Sequence, residues 1–167
     1  MPTVAVLEPA PLLVPLLART LPPSLAALSL SAWESAPAWQ SAPARETAPA
    51  WEAAPALVVL GPDMTDVPLP PCRILLTPGP LRGCAAPSVV SYGPSPRDTL
   101  TFSSLRAGGM VLDLQREIVT LAGRRVERQE LALPVRGEPL LTLAWAGTLL
   151  LAGAEPETLP SLARRAF

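Results

Sequence analysis

The chain has 167 residues, a net charge of −1 and 49% hydrophobic residues. This fits one folded domain with a substantial core and gives no electrostatic case for nucleic acid. All 13 basic residues are arginine, and histidine and lysine are absent, which excludes Ser-His and Cys-His nucleophile pairs, imidazole metal ligands, lysine Schiff bases and the P-loop lysine.

Met1-Pro2 opens without a basic segment, and the Leu-rich run at 12–17 is broken by Pro15. Both argue against a signal peptide. The longest apolar run, 140–154, is too short to span a bilayer, so a cytoplasmic protein without membrane contact is expected. Cys72 and Cys84 have neither zinc nor redox spacing. They read as small, at least half-buried thiols, with a disulfide between them conceivable. No cofactor and no metal are expected.

TVAVL at 3–7 reads as a buried first strand. The segment 11–30 is rich in Leu and Ala, but Pro15, Pro22 and Pro23 cut it into at most one or two short helices. Four hexads of the form A-(W/R)-(E/Q)-(S/T/A)-A-P then occupy 32–55 and carry Trp33, Trp39 and Trp51. A proline at every sixth position forbids a continuous helix and favours extended or turn-like backbone. Residues 31–56 are therefore read as an insertion or linker within a single α/β domain spanning 1–167. The three tryptophans either lie against the domain or form an aromatic docking strip.

Three short apolar runs follow, ALVVL at 56–60, RILLT at 73–77 and SVVS at 88–91, each closed by Gly or Pro. They read as buried parallel strands. The loops 61–71 and 78–87 are too short and Pro-rich for full crossover helices. From Asp98 the pattern alternates with period two, Gly108-Gly109 turns the chain, and 110–121 and 124–133 flank Ala122-Gly123 as a hairpin. Leu112, Leu114 and Ile118 would face the core, opposite Asp113, Gln115 and Glu117. Strict alternation points Arg116 inward, so a bulge or a partner is expected there. Pro139 opens a helix that runs to about Ala152 and is capped by Gly153, with Trp145 in the core. A short half-docked helix closes the chain at 156–167. The expected fold is a small Rossmann-like α/β domain, with a mainly parallel sheet, an antiparallel β-hairpin extension and a closing C-terminal helix.

Three groups of residues are candidates for function. Asp63 and Asp66 follow a strand end, where open α/β sheets bind ligands. They can equally be solvated loop acids. Tyr92, Gly93, Ser95, Arg97 and Asp98 follow another strand. There Gly93 permits close backbone approach and Arg97 can clamp a carboxylate or phosphate, so a small anionic ligand is one expectation. The alternative is a turn in which Ser95 or Asp98 bonds local amides. Gln115, Glu117, Arg124 and Arg128 decorate the hairpin, either as a salt-bridged face or as a docking surface for a protein partner.

The motifs D-T-L-T-F-S-S (98–104), L-Q-R-E-I-V-T-L-x-G (114–123) and R-V-E-x-Q-E-x-x-x-P (125–134) resemble a small bacterial family of unknown function. The order of strand, acidic loop, strand, S-Y-G-x-S (91–95), hairpin, L-P-x-x-G (133–137) and Ala/Leu-rich helix resembles the second half of the central domain of the Mur ligases. Those enzymes are ATP-dependent amide ligases of peptidoglycan precursors. The matching pieces are 57–66, 89–95, 99–133 and 133–152. The chain departs from that family in having no G-x-x-G-K-(S/T) loop, no lysine for carbamylation, and Gly137-Glu138-Pro139-Leu140 where the family has its His-Asn turn, and no C-terminal ligase domain is expected. The resemblance implies a non-catalytic binding or regulatory module linked to cell-wall precursor metabolism. The other readings are a structural interaction module using the charged hairpin, and a small hydrolase or transferase working through Asp63, Asp66, Tyr92 or Arg97.

Overall fold

The computed structural model describes residues 2–25, 29–34, 54–64, 69–79, 81, 86–135 and 137–167, with 31–34 described through their backbone. The third to fifth positions of the sequence begin β1 (Thr3–Glu8), whose last five residues are all buried. Short, mostly apolar buried runs likewise build β3 (Leu57–Leu60) and β4 (Ile74–Pro78), and β5 (Ser88–Tyr92) follows. These four strands lie side by side in parallel. A further parallel strand, β2 (Ser29–Glu34), pairs with the outer side of β1 in register from Thr3↔Ser29 to Glu8↔Glu34. Sequence reading missed it, because its alternation of Ser with Leu, Ala and Trp runs straight into the hexad repeat. The first three repeat residues, 32–34, therefore belong to a sheet edge, while 35–53 lie outside the described residues.

The antiparallel part begins with β6 (Leu100–Arg106) and β7 (Gly109–Leu114), joined at Ala107-Gly108. A bulge between Phe102 and Ser104 shifts the register. The strand β10 (Gln129–Leu133) returns along β7. Between them, β8 (Ile118–Val119) and β9 (Arg125–Val126) form a separate two-stranded hairpin. The single long hairpin expected from the sequence is thus interrupted at 115–117. Arg116 lies there, exposed, rather than facing the core. The eight-stranded sheet has the order β2-β1-β3-β4-β5-β6-β7-β10, a small Rossmann-like α/β arrangement.

Strand alternation divides the core in two. Val4, Val6, Leu57, Val59, Ile74, Leu76, Val90, Tyr92 and Leu100 face one side, which is covered by α1 (Leu13–Thr20), α2 (Pro139–Ala152) and α3 (Leu159–Ala166). Ala5, Leu7, Val58, Leu60 and Leu75 face the other. There the connecting loops supply the cover through Met64, Leu69, Cys72, Leu81 and Ala86. Among the described residues, this face is covered by loop side chains and not by a helix.

The helix α2 is buried at every position from Thr142 to Ala152, because the sheet lies beneath it and α1 packs beside it. Pro139 occupies its first turn, and Gly153 closes it at φ 116°, a left-handed conformation that favours glycine. Gly147 brings the helix close to the sheet, where an added Cβ would lie 3.0 Å from a Leu76 methyl group. The Trp145 indole donates to the Thr20 hydroxyl at 2.9 Å and meets Phe167 edge-on at 5.6 Å. These contacts tie α1, α2 and the end of α3 together.

Candidate functional site

The strand order reverses between β1 and β3, so the chain leaves these two neighbours in opposite directions across the sheet. In open α/β folds this creates a crevice beyond the strands' carboxyl ends. The crevice here holds Glu8 at the end of β1, Asp63 after β3 and Glu138 at the start of α2, beside a cavity of about 310 Å³. Leu12, Leu140 and Leu141 provide apolar walls.

Glu8 is 3% exposed, and its carboxylate accepts three backbone N–H groups. They come from Leu12 at 3.1 Å, Leu13 at 2.8 Å and Val14 at 3.2 Å. These are amides of the α1 N-terminus, where unsatisfied donors and the helix dipole make a place for an anion. Pro15 follows in the first turn and has no N–H to satisfy. The carboxylate therefore stands where the helix would otherwise hold a phosphate. The neighbouring strand accommodates it through Gly61, since a Cβ there would lie only 2.9 Å from that of Glu8. With a glutamate in this position and no lysine in the chain, the residues do not fit the triphosphate of ATP.

Asp63 is exposed on the cavity rim, and Asp66 lies outside the described residues. Tyr92 is fully buried beneath the crevice and donates its hydroxyl to the Leu60 carbonyl at 2.7 Å, bridging the ends of β5 and β3. Burial pushes its phenol far above the ordinary tyrosine range, and the negative charges of Asp63, Glu138 and Glu8 push it further. Tyr92 is thus a locked neutral donor. Glu138 caps α2 by accepting from the Leu141 amide at 2.7 Å.

The rest of the turn after β5 satisfies itself. Asp98 is buried and accepts from the Ser95 amide at 3.2 Å, while the Asp98 amide donates to the Ser95 carbonyl at 3.0 Å. The Ser95 hydroxyl accepts from the Arg97 amide. Gly93 is required by this closure, because a Cβ would stand 2.6 Å from an Asp98 carboxylate oxygen. Arg97 is exposed and is not among the residues lining the crevice cavity. The structure thus places Asp63 on the crevice, buries Tyr92 within electrostatic reach of its acids without lining the cavity, and leaves Ser95, Arg97 and Asp98 in a neighbouring turn.

On the hairpin, Glu117 pairs with Arg125 at 3.2 Å, and Gln115 bonds Asp113. Arg124 pairs with Glu155 and donates to the Gly153 and Ala154 carbonyls at 3.3 and 3.1 Å. It completes the C-terminal cap of α2 and anchors the β8–β9 hairpin there. Arg128 is exposed and makes no side-chain bond among the described residues.

Sequence reasoning missed Glu8 and Glu138. Glu8 had one signal, as the only acid in the first 33 residues, placed at the end of an apolar run. Among the described residues, no group of three or more Cys, Asp or Glu side chains has a metal-binding arrangement. No helix among them is long and apolar enough to cross a membrane. No protein-family model matches the chain, and no curated protein matches it either.

Proposed function

We propose that this protein is a non-catalytic, cytoplasmic binding or regulatory module related to the Mur ligase central domain, and that its ligand sits in the crevice between β1 and β3. The observation that carries this reading is the Glu8 carboxylate on the three α1 amides, which fills the fold's phosphate position with a side chain of the protein itself. An occupied phosphate position supports a reading without nucleotide-dependent chemistry. The crevice keeps a cavity of ligand size with apolar walls and two exposed carboxylates, Asp63 and Glu138. Those charges favour a small ligand carrying an amine and repel the anion that Arg97 alone would suggest. The link to cell-wall precursor metabolism rests on the motif resemblance.

A thermal-shift screen of the full chain with Mg-ATP, UDP-linked muropeptides and small amines tests the proposal. Stabilisation by an amine-bearing compound, lost in D63N/E138Q, is the expected outcome. Saturable stabilisation by Mg-ATP, or turnover of any substrate that disappears in D63N, would overturn it.

A further inference from the structure

A second groove lies where the β6–β7 hairpin meets α3, and it shares no lining residue with the crevice. Its open volume is about 660 Å³, and its floor is apolar, with Met110 and Leu133 buried and Pro134 and Pro160 along the sides. Arg106 comes from the end of β6 and Arg164 from the last turn of α3. Among the described residues, no acidic side chain lines the groove.

Arg124 and Arg125 have carboxylate partners, Arg19 and Arg165 bond each other's backbone carbonyls, and Arg73 bonds the Leu121 carbonyl. Among the described residues, Arg97, Arg106, Arg116, Arg128 and Arg164 have no such partner, and what sets Arg106 and Arg164 apart is that both line the same groove. Two guanidinium groups flanking an apolar floor match carboxylates separated by an apolar side chain, and guanidinium binds carboxylate in a two-pronged fashion. The gap in the wall comes from Gly108-Gly109. Gly109 is obligatory, since a Cβ would lie 2.6 Å from the Leu133 carbonyl oxygen, whereas a Cβ on Gly108 meets nothing within 4 Å.

We infer that this groove binds an extended acidic segment of a protein partner, with glutamate or aspartate side chains held by Arg106 and Arg164 and an apolar side chain between them on the Met110–Leu133 floor.

The test is fluorescence anisotropy of the full chain with short labelled peptides in which two glutamates flank a leucine at varied spacing. Parallel titrations use the same peptides with glutamine for glutamate, and a labelled single-stranded oligonucleotide. R106E/R164E and Gly108→Leu are the variants. The second fills the groove from a position where the fold has room, so it separates loss of the site from loss of folding. Binding that weakens at least about tenfold in both variants and in the glutamine peptides, and that falls with added salt, is expected. The inference is overturned by no acidic peptide binding below about 1 mM, by equal binding of the glutamine peptides, or by unchanged binding in either variant. Preference for the oligonucleotide would also overturn it, in favour of a nucleic-acid groove.

Discussion

The Glu8 carboxylate lies 2.8 Å from the Leu13 amide, and this contact joins the end of the first strand to the start of the first helix. Replacing Glu8 with alanine frees three helix N-terminal amides in a buried position. Glu8→Ala is expected to lose about 2 kcal/mol of stability in urea unfolding. It should also gain a response that the parent protein lacks, namely stabilisation by millimolar phosphate or sulfate occupying the vacated amides. An E8A protein of unchanged stability would show that the three bonds carry no net free energy.

Tyr92 offers a pH signature. Its folded-state pKa is raised, by burial first and by nearby acids second, so the unfolded chain loses the phenolic proton at lower pH than the folded one. The contribution is complete below the ordinary tyrosine value of about 10 and falls away as pH rises above it. Stability should therefore drop along the alkaline limb, and Tyr92→Phe should flatten that limb. The same substitution leaves the Leu60 carbonyl without its donor and should cost about 1–2 kcal/mol at neutral pH. Tyr92 is the only tyrosine, so phenolate absorbance reports it directly, and it should appear only together with unfolding.

Arg124 and Arg128 separate architecture from surface. Arg124→Ala removes the pair with Glu155 and two bonds to the end of α2. Because both partners are substantially solvent-accessible, 39% and 59% exposed, solvent screening keeps the expected loss to about 0.5–1 kcal/mol. Arg128→Ala should leave the thermal midpoint unchanged. Equal effects from the two variants would remove the capping role of Arg124.

The Thr77 hydroxyl is buried near the end of β4 without a hydrogen-bond partner among the described residues. Thr77→Val replaces the hydroxyl with a methyl group of similar shape and ends that polar burial. A gain of up to about 1 kcal/mol is expected in chemical denaturation. A loss of similar size would show that the hydroxyl has a partner after all.

Much of the fold is legible because its signals are local. The apolar runs of β3 and β4 end at Gly or Pro, and Leu112, Leu114 and Ile118 alternate into the core. Pro139 and Gly153 bound α2 as their backbone preferences require. The strand β2 escaped notice because its Ser-rich alternation passes without a break into the repeat. The crevice escaped notice for a different reason. Glu8 gains its partners only when the chain reverses into α1, and Glu138 reaches the same place from 130 residues further along. The turn after β5 was visible as a cluster, but polar variety cannot distinguish residues that bind one another from residues that await a ligand. Ser95 and Asp98 belong to the first kind.

The parallel and antiparallel halves of the sheet meet at a single paired position, Tyr92↔Leu100. The Ser91 hydroxyl adds one rung by accepting from the Thr99 amide at 3.1 Å, and Gly93 adds another by donating to the Leu100 carbonyl at 3.0 Å. Such a narrow seam has little shear strength of its own, while α2 packs across it onto β3, β4, β5 and β6. The helix acts as a splint over a joint. Its loosening would let the two halves part before either one unravels, which makes α2 the element that sets the cooperativity of the whole domain.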